Sequence, residues 1–371
     1  MLKKFLIAIL AAIFFTVPVY ANQIWQPEIR LGILRGVNQV ELQLNAPCVM
    51  IDAVTRKILK NFAANEIFSV DFDTLKNNSV EIRGENTLLK DLIVTIDGKK
   101  YFGGVRIDKK NNSLTVINIA PVEEYLRGVV PEEMSPSFHL EALKAQAVAA
   151  RSFTLKNRQR HQAEGFDLCT TTHCQYFGGV DSAHKITDEV IKSTRGEILL
   201  MGGQIVDTNF HTDSGGMTES VAEVWGGYSP HLQAVEELEK NTQHWTKEFS
   251  TADFSRIIGD LGKLEKINLS PLEIGKSAPD RSTSGRVKVA QFVGSKKTLQ
   301  LTGNELRSKF SLPSTLFDIK ISHDKIIFEG YGRGHGVGMS QNGANAYANH
   351  GWNYEKILLH YYRGTNLKKL Y

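Results

Sequence analysis

Short apolar runs broken by turn residues fill the chain from Ile29 to about Ile117: IRLGIL, QVELQL, VEIR, LIVTI and LTVIN, with Asn-Asn and Asp-Gly pairs between them. Runs of this length, bounded by such breakers, read as strands. The Asp97-Gly98 pair between LIVTI and KYFGGVRI predicts a hairpin. The period changes at Pro121, where PVEEYLRGVV sets a proline in the first helical turn and puts Tyr125, Leu126, Val129 and Val130 on one stripe. Pro131 is expected to stop that helix. The segment LEALKAQAVAARSFTLKNRQ, with Leu140, Leu143, Ala147 and Phe153 or Thr154 at helical spacing, predicts a buried central helix.

Further on lie a Cys/His loop at 167–179, a β-rich run around 196–210 and a glycine turn at Ser214-Gly215-Gly216. A helix is expected from Thr251, strands near 286–301, and a helix over QNGANAYANHG after the glycine-rich run GYGRGHGVGMSQ. There is no internal repeat and no low-complexity linker. The fold class that follows is α+β: a β-rich N-terminal region, 22–117, then a mixed α/β part, 118–371, built around a central buried helix.

The first 21 residues read as a signal peptide, with Lys3 and Lys4 ahead of an apolar stretch from Phe5 to Val17 and Val19-Tyr20-Ala21 as a cleavage site. That stretch falls short of the about 18 to 20 residues a bilayer crossing needs. The mature chain is expected to begin at Asn22, with no membrane span, exported to the periplasm or cell wall. The first cysteine is Cys48, too far on for a lipid anchor and read as a small buried apolar residue. The formal charge of +4 includes two signal lysines, so nothing here suggests a nucleic-acid partner. Three cysteines are too few for a disulfide scaffold.

VVPEEM is a break between helices that carries two acids. It is either a solvated turn or a place where Glu132 or Glu133 lies against Val129, Val130 and Met134, with its pKa raised by desolvation. The chain resembles the SpoIID/LytB family in five ordered motifs: YLRGVVPEEM, EALKAQAVAARSF, FDLCTTTHCQYFGG, HTDSGGMTESVAEVWGG and GRGHGVGMSQNGANAYANHGWNYEKILLHYYRGT. The resemblance implies a peptidoglycan lytic transglycosylase in 118–371, cutting glycan strands with the glutamate before methionine, here Glu133, as catalytic acid. It also implies a role for the arginine that ends AVAAR, Arg151, expected as a substrate-positioning cation. The family's other branch enhances a cell-wall amidase, so a non-catalytic glycan-binding partner of an amidase is the alternative.

One carboxyl suits transglycosylation. Hydrolases of the two-carboxylate type set their acids about 5 to 9.5 Å apart across the bond, which adjacent residues rarely achieve. A single glutamate can protonate the leaving oxygen and then take the proton of the muramoyl C6 hydroxyl, leaving a 1,6-anhydro end. Catalysis then requires no cofactor. Cys169 and Cys174, with His161 and His173 nearby, fit a compact zinc site of structural type. His161, Cys169 and Cys174 are the preferred ligands and His173 an alternative, while a disulfide or free thiols stay open.

Two strings invite other readings. THC at 172–174 with DSGG at 213–216 resembles a serine-protease signature, but the intervening chain is too short for the barrel and Met217 replaces the usual proline. The glycine-rich run lacks the Gly-Lys-Ser/Thr of a phosphate loop. His211 and Ser214 are instead expected to line the cleft, with the glycines allowing a close backbone approach or a tight turn. His335, Ser340 and Gln341 are the polar members of the last motif and candidate substrate contacts.

Overall fold

The computed structural model describes residues 25–259 and 261–371. The expected signal segment lies outside them. The fold is α+β, and the N-terminal runs are strands as expected. Seven strands form one sheet: Glu28–Val37, Cys48–Asp52, Ile58–Phe62, Ser79–Gly84, Gly104–Lys110, Ser113–Pro121 and Leu168–Cys169. Four more, Gln39–Leu44, Ile67–Asp71, Ile93–Ile96 and Lys99–Phe102, form a second. The hairpin turns at Asp97 and Gly98, both at positive φ (46° and 80°), the backbone a two-residue turn of this hand requires.

The division expected between 117 and 118 does not fall at a structural boundary. Strand Ser113–Pro121 runs across it, is buried from Leu114 onward, and hydrogen-bonds to Glu28–Val37 on one side and Gly104–Lys110 on the other. Leu168–Cys169, well beyond it, joins the same sheet parallel to Glu28–Val37. One apolar core therefore runs from Ile29 to Tyr362.

Pro121 caps α1 (Val122–Arg127), which ends at Gly128. Contrary to the expectation from the sequence, Pro131 does not stop the first helix, which has already ended at Gly128. It sits in the first turn of α2 (Val130–Glu133), where its missing N–H costs nothing. The central helix is α3 (Leu140–Lys156). It is buried on every side from Ala142 to Thr154 except at Lys144, because its alanines admit close neighbours. Leu140, placed on its buried stripe by spacing, is instead 54% exposed in the first turn.

A second core lies in 245–330. Strands Trp245–Ser250, Phe317–Ser322 and Lys325–Gly330 form one small sheet, and Leu264–Asn268, Val289–Gly294 and Thr298–Thr302 another. They pack with helices Thr251–Ile258 and Gly303–Phe310 around Phe254, Phe292, Phe310, Phe317 and Phe328. The chain enters and leaves this inserted unit through the body: Phe210–His211 pairs in parallel with Met339–Ser340. Helices Gln341–Asn349 and Tyr354–Tyr361 then return to pack on α3. Among the described residues, no helix is long and apolar enough to cross a membrane.

Candidate functional site

The last residue of α2 is Glu133, and the loop after Cys174 closes over it. Gly128, between α1 and α2, lies against the Phe177 ring, where a Cβ would approach to 2.5 Å, and its carbonyl accepts the Gly178 N–H at 2.9 Å. This close approach delivers the Tyr176 backbone N–H to Glu133 Oε1 at 2.8 Å. Glu132 points elsewhere: it is exposed and accepts the Ser182 hydroxyl. The two adjacent acids are thus held by different partners.

Glu133 opens into a groove of about 1190 Å³ that runs from the Cys/His loop, through Phe210, His211 and Trp225, to Arg307 and Arg333. No cation pairs with the carboxyl among the described residues. Burial pushes its pKa up, the Tyr176 N–H pulls the other way, and the nearby charge of Glu132 adds to the rise. Such a carboxyl holds its proton to higher pH than an exposed one.

The loop that closes over Glu133 carries the Cys/His cluster. The ligand atoms of His161, Cys169, His173 and Cys174 all lie within 4.8 Å of one another. Cys169 Sγ is 3.6 Å and Cys174 Sγ 3.7 Å from His173 Nδ1, and Cys174 Sγ is 3.4 Å from His161 Nε2. A tetrahedral zinc site has sulfur-to-nitrogen edges of about 3.6 Å. His161 Nδ1 faces Glu164 Oε1 at 2.5 Å, and Glu164 also pairs with Arg35. A carboxylate behind a histidine in this way orients the other ring nitrogen toward a metal. The residues therefore fit zinc, with His173 alongside the three ligands preferred from sequence.

The remaining expected contacts divide. His211 and His335 line the groove with ring centroids 5.4 Å apart. His335 Nδ1 accepts the Val337 N–H at 3.0 Å, and His211 Nδ1 lies 3.2 Å from the Val337 carbonyl. Burial depresses both, His335 to about 4 with Arg307 and Arg286 adding to the effect, so both rings are neutral at neutral pH. Ser214, Ser340 and Gln341 do not line the groove. Ser340 Oγ caps the last motif's helix by accepting the Gly343 N–H, and it also accepts the Ser214 N–H. Ser214 Oγ accepts the Gly216 N–H inside a tight turn, while Gln341 meets Gln146 in the core.

Arg151 is corrected most sharply. Its guanidinium is fully buried and pairs with Glu123, so it supports the fold and cannot reach a sugar in the groove. Tyr176, Trp225, Arg307 and Arg333 were not singled out from sequence. Trp225 lay within the VWGG motif, whereas nothing local marks Arg307.

A family model described as Stage II sporulation protein (SpoIID) matches residues 110–201, the stretch that carries Glu133 and the Cys/His loop. Stage II sporulation protein D of Bacillus subtilis is 34% identical over 268 residues, covering 67% of this chain and 75% of that protein. The chain belongs to the SpoIID family. Its Bacillus amyloliquefaciens relative of the same description is 32% identical over 279 residues, 70% of this chain and 77% of that protein. The amidase enhancer of Bacillus subtilis is 30% identical over 338 residues, 78% of this chain but 47% of that longer protein. A second family model, a domain of unknown function (DUF8618), matches 228–338, which brackets the inserted unit.

Proposed function

We propose that this SpoIID-family protein is exported and cleaves the glycan strands of peptidoglycan as a lytic transglycosylase, with Glu133 as its single catalytic acid and base. The observation that supports this most is a carboxyl half-buried at a groove wall, without a cationic partner among the described residues, held by one backbone N–H. In this reading the protonated Glu133 gives its proton to the glycosidic oxygen as the bond to the muramoyl C1 breaks. The resulting carboxylate then takes the proton of the same sugar's C6 hydroxyl as that oxygen bonds to C1. The products are a free hydroxyl on one fragment and a 1,6-anhydro ring on the other, with no water consumed.

His161, Cys169, His173 and Cys174 would hold a zinc ion whose contribution is structural. When bound, it fastens the loop that supplies the Tyr176 N–H. The residues of the chain do the rest: Tyr176 orients the carboxyl, and the neutral His211 and His335 form the groove wall beyond it.

The amidase enhancer relative supports a second reading, in which the groove binds glycan for a partner amidase. Incubating the pure protein with purified glycan strands and analysing the fragments by mass spectrometry separates the two. Anhydro-terminated fragments support cleavage. Intact strands, together with stimulation of an added wall amidase, would replace cleavage by the enhancer reading.

A further inference from the structure

A half-buried guanidinium normally keeps a carboxylate beside it, because a lone charge taken out of water is left uncompensated. Arg307, on the inserted unit's second helix, has none. It lines the groove, is partly buried, and among the described residues forms no ion pair. Its Nε makes one long contact to the Leu312 carbonyl at 3.4 Å. Lys247 lines the same groove from the inserted unit, spending one N–H on the Ser311 carbonyl at 2.9 Å. Arg333, exposed on the glycine-rich loop, adds a third cation. Behind them Arg286 is buried, donates to the Ser214 carbonyl at 2.8 Å and leaves its Nε unpaired.

The groove offers little to balance these charges. Its lining carboxylates are Glu133 and Asp207, and Asp207 already accepts from Asn157 at 2.8 Å. The field of Arg307 and Arg286 is felt at His335, whose pKa they help depress. Next to His335 stands Trp225, 5.0 Å from it between ring centroids and 53% exposed, and Tyr228 follows at 81% exposed. Flat faces beside an unpaired fork of N–H donors suit a sugar ring that carries an anion.

We infer that the inserted unit completes the substrate groove, and that Arg307, Lys247 and Arg333 form a subsite for a carboxylate carried by the bound strand. This rests on the reading that the groove takes peptidoglycan glycan, but not on its being cut. Two sources present that chemistry along a strand: the lactyl group of a muramoyl residue without its peptide, and the acidic ends of an attached stem peptide. Guanidinium forks bind either in the same planar, bidentate manner.

The test uses Glu133→Gln protein, so that nothing is cleaved, and calorimetric titration with four probes. These are a muramoyl oligosaccharide with free lactyl carboxyls, the same with those carboxyls amidated, a peptide-bearing strand, and a chitooligosaccharide of equal length. The carboxylate-bearing probes are expected to bind about tenfold tighter than the neutral pair, with the gap closing as salt rises. Tighter binding of the free-lactyl probe assigns the subsite to the sugar; tighter binding of the peptidyl strand assigns it to the peptide. Adding Arg307→Gln should remove the gap by weakening the charged probes alone, and Arg307→Lys should retain part of it. Lys247→Gln with Arg333→Gln provides the same comparison should Arg307→Gln not fold. Equal affinity for charged and neutral probes, or an unchanged gap in a folded Arg307→Gln protein, overturns the inference. A protein that yields no anhydro ends yet still discriminates by carboxylate sinks only the cleavage reading.

Discussion

Arg151 and Glu123 form a two-pronged ion pair in the core, with Nε and Nη2 each 2.8 Å from a different carboxylate oxygen. The Gly196 N–H and the Tyr371 hydroxyl also donate to Glu123, so the pair ties α1, α3 and the chain's last residue together. Removing one partner strands a buried charge, at a cost of about 3 to 5 kcal/mol. Arg151→Ala and Glu123→Gln are expected to lose that much unfolding free energy in urea titrations. An Arg151→Ala protein that unfolds like the parent but no longer cuts strands would return the guanidinium to the chemistry.

The neighbouring acids should behave differently. Glu132 is exposed and engaged by Ser182, so Glu132→Gln is expected to cleave strands within about threefold of the parent rate. A loss as deep as that of the Glu133 variant, measured in the same assay, would show that the wrong acid had been assigned.

Protein purified without chelator or immobilised-metal tag is expected to hold one zinc per chain by atomic spectroscopy. Glu164 steadies His161 from behind, so Glu164→Gln should weaken zinc binding by about 10 to 100-fold in competition with a zinc indicator. Metal-free protein containing a Cys169–Cys174 disulfide would set this aside.

Away from the groove, Glu237 is pushed up to about 7 by burial, with Asp213 adding to the rise. Its folded pKa lies above the unfolded value of 4.5, so its contribution is full below that pH and is lost as pH rises through about 7. The loss is of order 3 kcal/mol. Chemical denaturation between pH 5 and 8 should show this fall in the parent and a flatter profile in Glu237→Gln. Identical profiles would rule Glu237 out as the source.

Where neighbours along the chain determine a structure, the sequence revealed it. Short apolar runs between turn residues marked the strands, Asp97-Gly98 the hairpin, and apolar spacing the central helix. The inserted unit was missed because its strands and helices carry the same local patterns as the body and no linker announces it. Pro131 looked like a stop because a proline that ends one helix and a proline that opens the next are indistinguishable without the turn at Gly128. Arg151 was expected to position substrate because the resemblance implied it, and nothing local revealed its partner, Glu123, 28 positions away on another helix. The Tyr176 contact was invisible for a simpler reason: the backbone supplies it, so residue type carries no signal.

The most direct measurement compares the parent and Glu133→Gln on purified glycan strands, quantifying reducing-end fragments by mass. The parent is expected to release ends one water lighter than hydrolysis would give, and the variant to slow that release by about 10² to 10⁴-fold while melting at the parent temperature. Anhydro ends appearing at the parent rate from the folded Glu133→Gln protein would contradict the account.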